Sequence, residues 1–272
     1  ISATHFPFTS NFLVQTKIKP YNTFVIAGTL PPDSIHEGLY IDTQDPYHYL
    51  RVDNYPDSKH FMLGGEDRPT GENSNTQDVF HKLETYLRDQ ITSEYTLTHQ
   101  WGGQIWNTID GLPYIGRHPL HENEFMGTGF SGDGMPFGIL SAVINSDLIL
   151  NKTNEFANLY DPQRFKGLII FLKQNLNYPK KLITGFLKTE SHPISEIAPG
   201  EGKVIKDSGK PQAIYKNEDG TITSLSAICT HMGCTVNWNN ALKSWDCTCH
   251  GSRFSPHGEV LRGPATKPLP KD

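Results

Sequence analysis

The first third of the chain alternates apolar and polar residues in short runs. Asn11–Ile18, Thr23–Gly28, Gly38–Asp42 and Lys59–Gly64 set Val, Ile, Phe and Thr between turn residues, a pattern that predicts strands. Pro31-Pro32, Pro46 and Pro56 punctuate them. From Thr76 the period changes. Val79, Phe80, Leu83, Tyr86, Leu87 and Ile91 recur at helical spacing, predicting an amphipathic helix that covers a sheet, with Asn75 as its N-cap and Asp78 three residues on. Trp101–Gly116 is aromatic, rich in glycine and, with Asp110-Gly111 before Pro113, turn-prone. Phe137–Leu150 is an apolar segment that predicts a second helix. Residues 167–190 are rich in lysine and broken by Pro179 and Gly185, as befits a connector, and a boundary falls near Ser191. From Ile194 onward the pattern is all-β. Runs at Lys203–Lys206, Gln212–Tyr215 and Thr221–Ser226 include a hairpin signal at Asn217–Gly220 between the last two.

Composition narrows the possibilities. A chain of 272 residues suffices for one large domain or two modest ones. A formal charge of −5 carries no basic surplus and argues against a nucleic-acid partner. Leu168–Leu172 and Ile139–Ile144, the longest apolar runs, fall far short of the ~20 residues of a membrane span. Ile1-Ser2-Ala3-Thr4 reads as the end of a strand and has no initiator Met, so no signal peptide can be assessed. All four cysteines lie in one short stretch, which fits a cytoplasmic protein whose thiols serve a cofactor.

Two stretches carry chemistry. Phe125–Met135 contains a literal G-x-G-x-x-G at Gly127, Gly129 and Gly132 and runs into the second predicted helix. A dinucleotide fingerprint also requires a buried strand before it and an acidic strand end about 20 residues after it, and neither is present. What remains is a glycine turn at a helix N-terminus, which favours close approach of a flat or anionic ligand. A turn that merely lets the helix pack accounts for the same residues equally well.

The second stretch is Cys229–Ser255. Cys229-x-His231 and Cys247-x-x-His250 frame fifteen residues, with Cys234 and Cys249 in the same two loops. Disulfides or buried thiols would leave the two histidines to chance. Structural zinc prefers C-x₂₋₄-C and H-x₃₋₅-H pairs, which this spacing fits poorly. Two thiolates and two imidazoles drawn from two loops are the ligand set of a Rieske-type [2Fe–2S] centre, the reading the spacing favours.

The surrounding residues resemble that family closely. CTHMGC and CTCHGSRF are similar to its two cluster-binding boxes, and Gly263-Pro264-Ala265 to the proline loop over the cluster. The resemblance covers about Ile194–Lys271. It implies Cys229 and Cys247 on the inner iron, His231 and His250 on the outer one, and a Cys234–Cys249 disulfide between the loops. Exchanging two thiolates for neutral imidazoles makes the site less anionic and raises the potential, to roughly −150 to +300 mV against about −400 mV. Thr248 stands where many members have proline. Ser252, a usual hydrogen-bond donor to the cluster, is retained, whereas Phe254 replaces the tyrosine of high-potential members. A centre low in the Rieske range is therefore expected.

The N-terminal half carries a second resemblance. Ala3-Thr4-His5-Phe6-Pro7-Phe8, Leu63-Gly64-Gly65-Glu66-Asp67, Trp101, Asp110–Gly116, Thr128–Met135 and Pro162-Gln163-Arg164-Phe165 occur in that order. Together they resemble the later half of an FAD-dependent oxidoreductase of the D-amino-acid-oxidase (glycine-oxidase-like) family, over about residues 1–166. In that family the segment matching Gly129, Phe130, Ser131, Gly132, Asp133, Gly134 and Met135 lies against the flavin. The resemblance implies an α+β fold: a partial flavoprotein substrate/FAD domain, the connector at 167–190, and an all-β antiparallel Rieske sandwich at 191–272. The family's dinucleotide-binding unit has no counterpart here, so this chain is expected to hold FAD weakly or not at all. The expected activity is electron transfer through the cluster, coupled to FAD-dependent oxidation of an amine or amino acid and to a redox partner protein or small carrier. The alternative is a Rieske ferredoxin-like carrier whose first half docks a partner. A ring-hydroxylating oxygenase subunit fails on domain order and on its mononuclear iron site. The nearest histidine pair, His118 and His121, reads as part of an exposed loop.

Overall fold

The computed structural model describes residues 1–3, 5–6, 12–72, 76–164, 194–207 and 209–271. Its first element is a short helix, α1 (Phe12–Gln15), followed by the long strand β1 (Ile18–Leu30). The strand expected at Asn11–Ile18 is thus corrected: among its described residues only Ile18 is extended, and the buried Val14 sits on a helical turn with Phe6 and Trp106. Short apolar runs do not distinguish one helical turn from a strand. Then follow β2 (Gly38–Ile41), β3 (His48–Tyr55), β4 (Ser58–Pro69), α2 (Asp78–Gln90) and β5 (Thr96–Thr108).

These strands form one antiparallel sheet in the order β2-β3-β4-β1-β5. Helix α2 lies where the periodicity places it. Its Val79, Leu83 and Leu87 are fully buried against Phe24, Ile26, Leu50, Val52, Phe61 and Leu63 of the sheet. The expected cap at Asn75 and the connector at 167–190 lie outside the described residues, as do Ser191 and Phe165. Trp101–Gly116 is not a loop throughout: Trp101–Thr108 is the second half of β5, and the turn begins only at Ile109. Backbone pairing along the whole length of β1 keeps Gly102 and Gly103 extended despite their low strand preference.

A hairpin, β6 (Tyr114–His118) with β7 (His121–Thr128), packs against α3 (Gly134–Ile149). Asn145 of α3 donates from Nδ2 to the Met126 carbonyl at 3.2 Å. His118 is therefore corrected from exposed loop to buried hairpin. It is 2% exposed, and its Nδ1 accepts the Leu120 N–H. Ser2 forms a parallel bridge to Met126, as a strand end would. A further short helix, α4 (Ala157–Tyr160), leads to Arg164. That guanidinium clamps Asp110 through both carboxylate oxygens, at 2.8 and 2.9 Å, and stacks over the Tyr114 ring. The two separated motifs D-G-L-P and P-Q-R are one buried ion pair.

The C-terminal part has two antiparallel sheets. One joins β8 (Glu201–Asp207), β9 (Lys210–Lys216) and β10 (Ile222–Ser226) in the order β10-β9-β8. The other joins β11 (Val236–Asn239), β12 (Ser244–Cys247), β13 (Arg253–Phe254) and β14 (Val260–Arg262) in sequence order. Ala213, Leu225, Val236, Trp238, Trp245 and Phe254 form the core they share. The Asn217–Gly220 turn joins β9 to β10, with Gly220 at φ 85°.

Candidate functional site

Cys229–Cys234 and Cys247–Ser252 are two copies of one six-residue turn. In each, the first residue's N–H donates to the sixth residue's carbonyl at 2.8 Å: Cys229 to Cys234, and Cys247 to Ser252. In each, the fifth residue is a glycine that donates back to the first carbonyl, Gly233 at 3.0 Å and Gly251 at 3.1 Å. Both glycines sit at positive φ, 76° and 70°, where a side chain is strained. The turns follow β10 and β12 and meet face to face. A disulfide joins Cys234 to Cys249 with S–S 2.01 Å.

This repeated turn aims backbone donors at sulfur. The N–H groups of His231 and Met232 point at the Cys229 thiol, and those of Cys249 and His250 at the Cys247 thiol. Both thiols are buried and hydrogen-bonded to each other. That mutual bond pulls Cys229 below the ordinary thiol range and, with burial, pushes Cys247 above it. The imidazoles of His231 and His250 face each other edge to face, with centroids 4.9 Å apart. Burial lowers the His231 pKa and keeps the ring neutral, and its Nδ1 is buried without a hydrogen-bond partner. Two imidazoles beside thiols ringed by N–H donors are the chemistry an iron–sulfur pair requires.

The surroundings complete the cavity. Ser252 is fully buried; its hydroxyl donates to the Cys229 sulfur and accepts the Ala265 N–H at 2.9 Å. This holds the Gly263-Pro264-Ala265 loop over the site. Thr230 pins the same segment by donating to the Lys267 carbonyl at 2.6 Å. Phe254 is also fully buried, opposite Trp245 in the sheet, and presents no hydroxyl.

Sequence reasoning missed what holds this site against the first sheet. Asp246, next to Cys247, is 0% exposed. Its Oδ1 accepts from Ser244 Oγ (2.8 Å) and Arg253 Nε (3.1 Å), and its Oδ2 from Asn239 and Asn22, both at 2.9 Å. Asn22 belongs to β1, so one donor to this buried carboxylate comes from the other half of the chain. Asn22 Oδ1 accepts from Thr70 Oγ1, Asn237 donates to the Gly71 carbonyl, and Thr76 donates to Asn239 Oδ1. Gln104 of β5 donates from Nε2 to the Gly251 carbonyl at 2.8 Å. A Cβ on Gly71 would lie 2.6 Å from the Asp246 carbonyl oxygen, so the backbones are in direct contact. The only hint in the sequence is an aspartate set between Trp245 and Cys247; its partners are far away along the chain.

The glycine turn Gly129–Met135 lies between β7 and α3. Gly129 and Gly127 are required for packing, since a Cβ on either would lie 2.3 Å from Thr108 Cγ2 or Ser141 Oγ. Gly132 and Gly134 face open space apart from the Tyr47 hydroxyl 3.8 Å from a Cβ on Gly132, and Met135 is 84% exposed. Ser131, at φ 51°, bonds through its N–H to the Trp106 carbonyl at 3.1 Å. Phe130 tilts towards Phe137, and Asp133 caps α3 with its backbone carbonyl. The second half of the turn leaves an open helix N-terminus, with the Gly134 and Met135 N–H groups ahead of Pro136, which has none. The named strands pair antiparallel throughout, so no βαβ pyrophosphate cradle stands among the described residues. Nor is any described helix long and apolar enough to cross a membrane.

A model of the Rieske [2Fe-2S] domain matches residues 189–271, and one of FAD dependent oxidoreductases matches residues 7–148, more than half of the chain. The Bacillus subtilis (strain 168) protein named "Putative Rieske 2Fe-2S iron-sulfur protein YhfW" is 33% identical over 276 residues, covering 99% of this chain and 53% of that protein. The chloroplastic cytochrome b6-f complex iron-sulfur subunit of Bigelowiella natans is 50% identical over 64 residues, 22% of this chain and 25% of its own. The chain thus spans about half the length of the first relative and a quarter of the second. Glycine oxidase from Geobacillus kaustophilus aligns at a TM-score of 0.46 with 18% identity, over 56% of this chain and 40% of that one. The chain belongs to the FAD dependent oxidoreductase family, and behind that region it carries a Rieske [2Fe-2S] domain.

Proposed function

We propose that the chain passes electrons singly between a flavin-dependent oxidation and an external carrier. Cys229, Cys247, His231 and His250 hold the [2Fe–2S] cluster, and Ser252, Phe254, Gly263 and Pro264 line it. The observation that supports this is the repeated turn, which converges backbone donors on two buried thiols and sets two imidazoles beside them. When bound, the cluster supplies a one-electron couple. The protein's part is to keep the sulfurs anionic, exclude water behind the Ala265 loop and hold the imidazoles at the edge.

The flavin half supports the second element of the reading. The Gly129–Met135 turn offers one wall for an isoalloxazine, and the resemblance to amino-acid oxidases favours an amine or amino-acid substrate whose hydride passes to FAD. With no cradle for the pyrophosphate among its described residues, this chain holds FAD weakly or not at all, and flavin absorbance of the purified protein measures that.

Iron and sulfide analysis with an EPR spectrum of the dithionite-reduced protein tests the cluster. The expected result is two irons per chain and a rhombic [2Fe–2S] signal, lost in His231→Ala and Cys247→Ser. Stoichiometric zinc in place of iron would overturn the reading. Screening amines and amino acids for bleaching of the cluster, with flavin supplied, tests the substrate class.

A further inference from the structure

The two imidazoles of the site differ in surroundings. His231 is half-buried and stands beside Met232, whose side chain is 46% exposed. His250 is only 4% exposed. The next residue, Gly251, is pressed onto the first sheet. A Cβ there would lie 2.5 Å from Pro20 Cβ, and its carbonyl accepts from Gln104 Nε2 at 2.8 Å. Gln104 lies two residues before Trp106 on β5, about 7 Å along the strand. The Trp106 carbonyl accepts from the Ser131 N–H at 3.1 Å and from Ser131 Oγ at 3.4 Å. A continuous series of bonds therefore runs from the glycine turn through Ser131, Trp106, Gln104 and Gly251 to His250. The Asn22–Asp246 contact holds the cluster end against the first sheet.

We propose that the two imidazoles have divided roles: the buried His250, next to the Gly251 that meets the sheet, connects the cluster to the flavin half across the Gln104–Gly251 bond, and His231 connects it to the external carrier. This rests on the Rieske reading above. Each crossing moves one electron and no proton; what the reduced carrier on the glycine-turn side loses, the iron pair gains. Gln104 is a positioning residue, which shortens the gap without touching the iron. The docked contact also makes the cluster's position fixed, so no swing of the domain is needed between the two partners.

The test uses cluster-loaded protein and needs no flavin. A ruthenium photoreductant is attached at Met135→Cys, on the glycine-turn side, or at Met232→Cys, beside His231, and cluster reduction is timed after a flash. Gln104→Met keeps the side-chain length and removes the donor. It should slow reduction from the Met135 label several-fold while leaving the Met232-label rate, the EPR spectrum and the midpoint potential unchanged. As a second readout, mass spectrometry after diethyl pyrocarbonate treatment should show His231 modified and His250 protected. Equal rates with and without Gln104 from the Met135 label, or equal slowing from both labels, would overturn the route. Equal modification of both histidines would overturn the division of roles. Absence of any cluster signal in iron-loaded protein would instead overturn the Rieske reading, and the route with it.

Discussion

The buried contact between Asn22 and Asp246 makes a quantitative prediction about how the two halves are joined. Asp246 is fully enclosed and its two oxygens accept four hydrogen bonds, three from its own domain and one from β1. Asn22→Leu removes that one donor. A hydrogen bond to a charged group contributes about 1.5–3 kcal/mol, and the Thr70 hydroxyl also loses its acceptor, worth about 1 kcal/mol more. The expected loss is about 3 kcal/mol. Asp246→Leu strands the buried Arg253 guanidinium and should cost roughly 3–5 kcal/mol. Because the two residues touch, the effects should not add, and a double-mutant cycle should return a coupling of about 2 kcal/mol. Urea unfolding of the four proteins measures it. Two tryptophans lie in each half, Trp101 and Trp106 against Trp238 and Trp245, so fluorescence reports on both. A coupling below about 0.5 kcal/mol would show that the contact does not hold the halves together.

Other consequences can be checked separately. Ser252→Ala removes the hydroxyl bonded to the Cys229 sulfur and should lower the cluster midpoint by roughly 40 mV, the equivalent of about 1 kcal/mol for a one-electron couple. Phe254→Tyr should raise it, and voltammetry that found both shifts in one direction would refute this account of the potential. Burial pushes the Asp110 carboxyl up, but Arg164 more than offsets this, so it titrates below the ordinary carboxylate range. Its stabilisation is therefore complete above about pH 4 and is lost as the pH falls through the depressed value; Asp110→Asn should flatten the acid limb of a stability–pH profile. Gly251→Ala places a methyl against Pro20 at a φ of 70°, and limited proteolysis should cut the variant between the halves faster than the parent.

Much of the site is legible in the amino-acid sequence. Cys229, His231, Cys247 and His250 are close along the chain within two short turns, so spacing alone names the chemistry. The helix at Asp78–Gln90 is equally legible, because one apolar stripe recurs at a single period. Less legible are elements whose conformation is imposed from outside. Phe12–Gln15 carries the same apolar residues as a strand yet forms one helical turn over Trp106. Trp101–Thr108 looks like a loop, but β1 pairs with it residue by residue.

The cysteine–histidine turns, the alternating strands and the glycine-rich approach to α3 are local, and local periodicity and ligand spacing determine them. The bond from Asn22 to Asp246 spans 224 positions and that from Gln104 to Gly251 spans 147. No pattern marks a polar residue on a strand as the fourth donor to a distant carboxylate. Tertiary structure alone decides that Asp246 is buried, that Gly251 meets Pro20, and that one histidine is buried while the other is half-exposed. The physical reason is that a buried charge must be satisfied by whatever surface closes over it, and that surface exists only once both halves have folded.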